Sequence, residues 1–157
     1  MIIKGRARSV NAGRQVLGKL KTTGGTTVIT QAGEVESQDI VWTGTTSDAT
    51  ETEIFLGGET DSRYTLTASS TEILHCIAIA KDGTNTKTWE IKVTFVRDGS
   101  SNSSMVFQDI KILAEDTLDV SLVFEADDTN EAAIVKVTGI AATTISWKVT
   151  AWRTLLN

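Results

Sequence analysis

The stretch TWEIKVTFVRDGS, residues 88–100, alternates Trp89, Ile91, Val93 and Phe95 with Glu90, Lys92 and Thr94 before breaking at Asp98, Gly99 and Ser100. In an extended chain successive side chains point to opposite faces, so this period of two gathers four large apolar groups on one side. It reads as a half-buried strand followed by a turn. TLDVSLVFEADDTNE, residues 117–131, repeats the pattern with Leu118, Val120, Leu122 and Phe124 on one face. TTISWKVTAW, residues 143–152, does so with Ile145, Trp147, Val149 and Ala151. Between such runs lie KDGTNT (81–86), RDGSSNSS (97–104), ADDTNE (126–131) and TGIAATT (138–144), rich in the Gly, Asn, Asp and Ser that bend a chain cheaply.

Composition supports the same class. The 157 residues include 25 threonines and no proline, and threonine's branched β-carbon suits a pleated surface. The expectation is an all-β fold: an antiparallel β-sandwich or jelly roll of eight to ten strands, with an extended N-terminal arm and no helix of consequence. Charge marks the division. Residues 1–24 carry Lys4, Arg6, Arg8, Arg14, Lys19 and Lys21 and no acid, a net of +6, which leaves nine basic and twenty acidic residues, −11, for the rest. We therefore expect a basic arm over residues 1–25 and a β-sandwich domain over 26–157. Arg6, Arg8, Arg14, Lys19 and Lys21 are the candidates for docking on an acidic partner, because guanidinium and ammonium groups bind carboxylates and the interspersed glycines let the backbone follow a surface. No apolar run approaches the roughly 18 residues of a membrane span, and the N-terminus lacks the apolar core of a secretion signal.

The single histidine and the single cysteine are adjacent, at His75 and Cys76 in EILHCIAIAK, residues 72–81. On a strand they project to opposite faces, so they do not form a nucleophile–base pair. Cys76 shares a face with Leu74, Ala78 and Ala80 and reads as a small core group. His75 shares the other face with Ile73, Ile77 and Ile79. A strand apolar on both faces is expected to be covered on both, so Ile73, His75, Ile77 and Ile79, together with Trp152, are candidate subunit-interface residues.

Other chemistry is poorly represented. In EADDTNE, residues 125–131, Glu125, Asp127 and Asp128 could supply oxygen ligands to a cation; the missing central glycine of a calcium loop favours a solvated hairpin turn. GKLKTTGGTT, residues 18–27, lacks the glycine–lysine spacing of a phosphate-cradling loop. The acidic body and the lack of aromatic residues within the arm argue against nucleic acid. With no assembled triad, metal set or cofactor loop, neither an enzyme nor a bound cofactor is expected.

From about residue 43 to the end the chain resembles a β-sandwich domain found at the C-terminal ends of phage tail fibres and related phage virion structural proteins. The resemblance is carried by TTSDATETEIFLGG (45–58), ADDTNEAAIVKVTG (126–139) and ISWKVTAWRT (145–154), with AEDT (114–117) and the IAIAKDG to TWEIKVTFVRDG hairpin in order. It implies a trimeric, non-catalytic part of the particle surface, located in the virion, and transfers no catalytic residue. Only 42 residues precede the matched region, too few for a fibre shaft. The expectation is thus a homotrimeric capsid decoration (cement) protein held on capsid or tail proteins by its arm. The alternative is a receptor- or carbohydrate-binding head of a tail fibre, contacting a host-surface glycan through an exposed aromatic such as Trp42 or Trp152.

Overall fold

Strand after strand, the alternating runs become antiparallel hairpins in the computed structural model, which describes residues 20–22, 25–27 and 40–156. Within the arm, Leu20–Thr22 (β1) and Gly25–Thr27 (β2) pair with each other, Leu20 opposite Thr27. Arg6, Arg8, Arg14 and Lys19 lie outside the described residues, and Lys21 falls in β1. A separate compact unit spans residues 39–157. Its strands are Ile40–Thr46 (β3), Glu51–Leu56 (β4), Tyr64–Thr65 (β5), Ser70–Lys81 (β6), Thr86–Arg97 (β7), Ser103–Glu115 (β8), Ser121–Asp127 (β9), Ala132–Thr138 (β10) and Ile145–Leu156 (β11). The fold is all-β and antiparallel, and among the described residues no helix is long and apolar enough to cross a membrane.

One hydrogen-bonded path runs β8-β7-β6-β11-β3-β4-β10-β9, with β5 on the same side of β10 as β4. β9 and β7 are far apart along that path, yet Phe124 of β9 packs against Phe95 of β7 with ring centroids 6.5 Å apart, and edge-on against Trp42 of β3 at 5.8 Å. The sheet therefore folds back on itself into two layers. The inner face collects the groups that the period of two selected: Leu74, Cys76, Ala78 and Ala80 of β6, Trp89, Ile91, Val93 and Phe95 of β7, Ile145, Trp147, Val149 and Ala151 of β11, and Phe124. Leu118 and Val120 keep the alternation ahead of β9 without being part of a strand, and both are buried. Each fully buried Leu, Ile, Val or Phe contributes about 1.5–3 kcal/mol, so this face dominates the stability.

The turn from one layer to the other is made inside a single strand. Glu51–Ile54 of β4 pair with β10, whereas Phe55 and Leu56 pair with Thr43 and Trp42 of β3. For β4 to cross over at this point Ile54 must lie directly on β3, and residue 44 is glycine. A Cβ there would stand 2.5 Å from Ile54 Cγ2. On the opposite side, where β8 faces β9, the layers are joined by side chains: the Phe124 N–H donates to Gln108 Oε1 at 2.9 Å, and the Ser103 N–H donates to Asp128 Oδ1 at 2.6 Å.

We predict that Gly44→Ala destabilises the domain by about 1–3 kcal/mol, the cost of overpacking a close-packed contact. The check is a urea denaturation curve, with the midpoint falling while the slope stays constant.

Candidate functional site

His75 and Cys76 are separated by the strand that carries them. Cys76 is 1% exposed, opposite Ile91 in the β6–β7 register, and burial pushes its thiol pKa up to about 12. A thiol held in that state is a poor nucleophile at neutral pH. His75 points outward and is exposed. The sequence's only His–Cys pair is thus not a reaction centre. Cys76 should stay unmodified by a disulfide-exchange reagent at pH 8 in the folded protein and react completely once urea unfolds the chain, a difference read by absorbance of the released thiolate.

The acids of residues 125–131 are each engaged by a structural partner. Asp127 closes the β9–β10 turn: its Oδ1 accepts the N–H groups of Thr129 (3.1 Å) and Asn130 (3.0 Å), and its Oδ2 accepts Asn130 Nδ2 (2.6 Å). Glu125 pairs with Lys136 at 2.6 Å, Asp128 holds the Ser103 N–H, and Glu131 pairs with Arg97. Among the described residues no group of three or more His, Cys, Asp or Glu side chains is arranged to hold a metal ion. The same clasp closes two other hairpins, Asp82 with Asn85 and Asp98 with Asn102, each aspartate taking backbone N–H groups on one oxygen and the asparagine amide on the other.

In all three clasps the hydrogen bond from the asparagine side chain, followed by those from the backbone, holds the aspartate below its ordinary pKa. Because the folded value is depressed, the stabilisation is complete above the unfolded value of about 3.9 and is lost as pH falls through the lower folded value. Replacing Asp82, Asp98 and Asp127 together by asparagine should therefore lower the urea midpoint at neutral pH, and the gap from the parent should close as pH falls below about 4.

One buried carboxylate was legible only from its phase. Glu72 lies on the inner face of β6 two residues before Leu74 and is 1% exposed. Its Oε2 accepts the Tyr64 hydroxyl at 2.6 Å and its Oε1 accepts the Thr67 N–H at 2.5 Å, while Arg153 Nη1 stands 3.9 Å away and donates to the Tyr64 oxygen at 3.2 Å. Burial, and then the adjacent Glu72 charge, hold the Tyr64 hydroxyl well above its usual pKa. With the carboxylate itself buried and its partners partly exposed, this cluster ties β5 and its loop to β6 and β11.

The outer face of the layer β11-β6-β7-β8 carries an exposed apolar surface. The register sets Trp152 opposite His75, Thr154 opposite Ile73, Thr150 opposite Ile77 and Lys148 opposite Ile79. The five residues singled out from sequence, Ile73, His75, Ile77, Ile79 and Trp152, therefore form one patch. The chain itself leaves it open: Ile73 is 36%, Ile79 40% and Trp152 49% exposed, and Ile77 is half-buried. Sequence reasoning missed its extension across the sheet, where Ile73 is followed by Thr94 and then Phe107 on β8, and His75 by Lys92 and then Asp109. Among the described residues, all eight exposed large apolar side chains belong to β6, β8 or β11.

No protein-family model matches this chain, and no curated protein does. Among solved structures, the tailspike protein of Acinetobacter phage vB_ApiP_P1 aligns over 93% of this chain at 16% identity, with a TM-score of 0.31. The chain spans 26% of that protein's length.

Proposed function

We propose that this protein is a non-catalytic structural component of a bacteriophage particle, a homotrimeric capsid decoration protein held in place through its basic N-terminal arm. The observation that carries the reading is the open apolar patch of Ile73, Ile77, Ile79 and Trp152 on the outer sheet face, which is the kind of surface subunits cover. The patch lies on a rigid, fully paired strand, so it is preorganised for contact. The resemblance to phage virion domains supports the same role: its three main stretches fall on the β3–β4 corner, the β9–β10 hairpin and β11, the parts that close the sandwich.

A second reading, a receptor- or carbohydrate-binding head, is favoured by one feature of the patch. Trp42, the other aromatic expected to be exposed, is instead buried in the core against Phe124, whereas Trp152 is half exposed, flanked on β11 by Thr150 and Thr154 and faced by His75. Glycan-array binding lost in Trp152→Ala, with assembly retained, would favour this reading over the first.

Light scattering at micromolar concentration should give three times the 16.9 kDa of one chain. Ile73→Glu with Ile79→Glu should reduce it to a single chain without changing the circular dichroism spectrum, since both side chains are exposed within the subunit. Particles lacking the protein should take up the full chain but not one without residues 1–24, as measured by co-sedimentation; full occupancy without the arm would remove its attachment role.

A further inference from the structure

β8 is the longest strand of the sheet, thirteen residues at one end of the strand order, and it carries four of the exposed large apolar groups: Val106, Phe107, Ile112 and Leu113. One edge pairs with β7 from Lys87↔Glu115 to Arg97↔Ser103. Its other edge makes no backbone pairing among the described residues; the neighbouring β9 reaches it through the Gln108 side chain. Irregularities in the β7–β8 register lie between Thr88 and Trp89 and between Thr94 and Phe95, and the segment Phe107–Ile112 between them is regular. A long, proline-free edge is a template for another strand.

We propose that β8 pairs with β8 of a second copy, antiparallel, about a twofold axis through Ile110. The charges select this occupant and this register. Centring on Ile110 sets Asp109 opposite the second copy's Lys111, and Lys111 opposite its Asp109. Moving the centre one residue either way sets Asp109 against Asp109 or Lys111 against Lys111, and centring between residues sets a charge opposite an isoleucine. Opposite charges directly across a strand pair attract, and like charges repel. The chain already prepares the flanks: Lys92 stands opposite Asp109 on β7, and Glu90 opposite Lys111, all on the outer face. Pairing through Ile110 thus extends a row of alternating sign, Lys92, Asp109, then the second copy's Lys111 and Glu90, with neighbours about 4.8 Å apart in the strand-to-strand direction. On the same face Phe107 comes opposite the second copy's Leu113. The interface is isologous, uses main-chain hydrogen bonds for strength and the charge row for register, and holds whatever particle the protein serves.

The test uses the full chain. Ile110→Cys should give a disulfide-linked dimer under mild oxidation, because residue 110 faces its own copy across the axis; Cys76 is buried and does not compete. Asp109→Lys should raise the dissociation constant of the twofold contact at least tenfold and, at the higher concentrations where parent trimers pair into six-chain assemblies, return the mass to three chains. Reversing the whole row, with Asp109→Lys, Lys111→Asp, Lys92→Asp and Glu90→Lys together, should restore both, which no folding defect would do. Failure of Ile110→Cys to cross-link in the folded protein would overturn the inference. So would an assembly mass indifferent to Asp109→Lys, the result expected if the charges merely guard the edge. Cross-linking that appears only after residues 1–24 are removed would assign the edge to the arm instead, and would also overturn it.

Discussion

The close approach of Ile54 to Gly44 is the constraint on which the architecture turns. A single antiparallel sheet of nine strands exposes two broad faces and cannot bury its apolar side unless it folds over. Here it folds within β4, whose first residues pair with β10 and whose last pair with β3. Everything on the inner face follows from that corner: it brings Phe124 onto Phe95 and Trp42, and lets four alternating strands converge on one core. The Trp147 indole N–H, donating to Thr46 Oγ1 at 3.0 Å, fixes β11 to β3 just beyond the bend.

Polar groups then hold what the core has brought together. The three Asp–Asn clasps occur at hairpins, where the chain reverses and backbone N–H groups would otherwise face water. Arg97 acts across the layers, donating through Nη1 to the Leu66 carbonyl at 2.6 Å and pairing through Nη2 with Glu131. Lys87 bonds Glu115 at 2.5 Å at the other end of the same strand, its ammonium also lying 5.6 Å from the Trp89 ring centre. The acidic residues that look from sequence like ligands are thus distributed among turns and ion pairs, each committed to structural partners. The apolar patch on the opposite face has no such partners within the described residues, which is why it and the β8 edge carry the functional reading.

How much of this could be read from the residues depends on how cleanly each strand separates its faces. β7, β9 and β11 bury one side and expose the other, so their period of two is plain and their inner residues were identified correctly. β6 also declared both of its apolar faces, although only the subunit's inner face is covered. β8 was not recognisable, because its inner face is only partly covered, its outer face carries exposed apolar groups, and two irregularities break its period. The corner in β4 was equally hidden: it depends on a contact between Gly44 and Ile54 that no local pattern encodes. Glu72 was overlooked for a simpler reason, as the eye follows the hydrophobes of EILHCIAIAK and passes over the carboxylate in phase with them.

The position of β11 has a kinetic meaning. It lies between β3 and β6 in the middle of the sheet, pairing with both along most of its length, and it comes after every other strand in the chain. Until its residues leave the ribosome, β3 and β6 have no shared neighbour and the inner face of the sheet stays partly wet. Hairpins such as β6–β7 can form early, but the domain completes only through pairings separated by about a hundred residues, a topology that folds slowly. The cell meets an incomplete chain as an open sheet with two unpaired edges, prone to aggregate or be degraded. Synthesis of the last strand is therefore the step that admits a molecule to the folded pool.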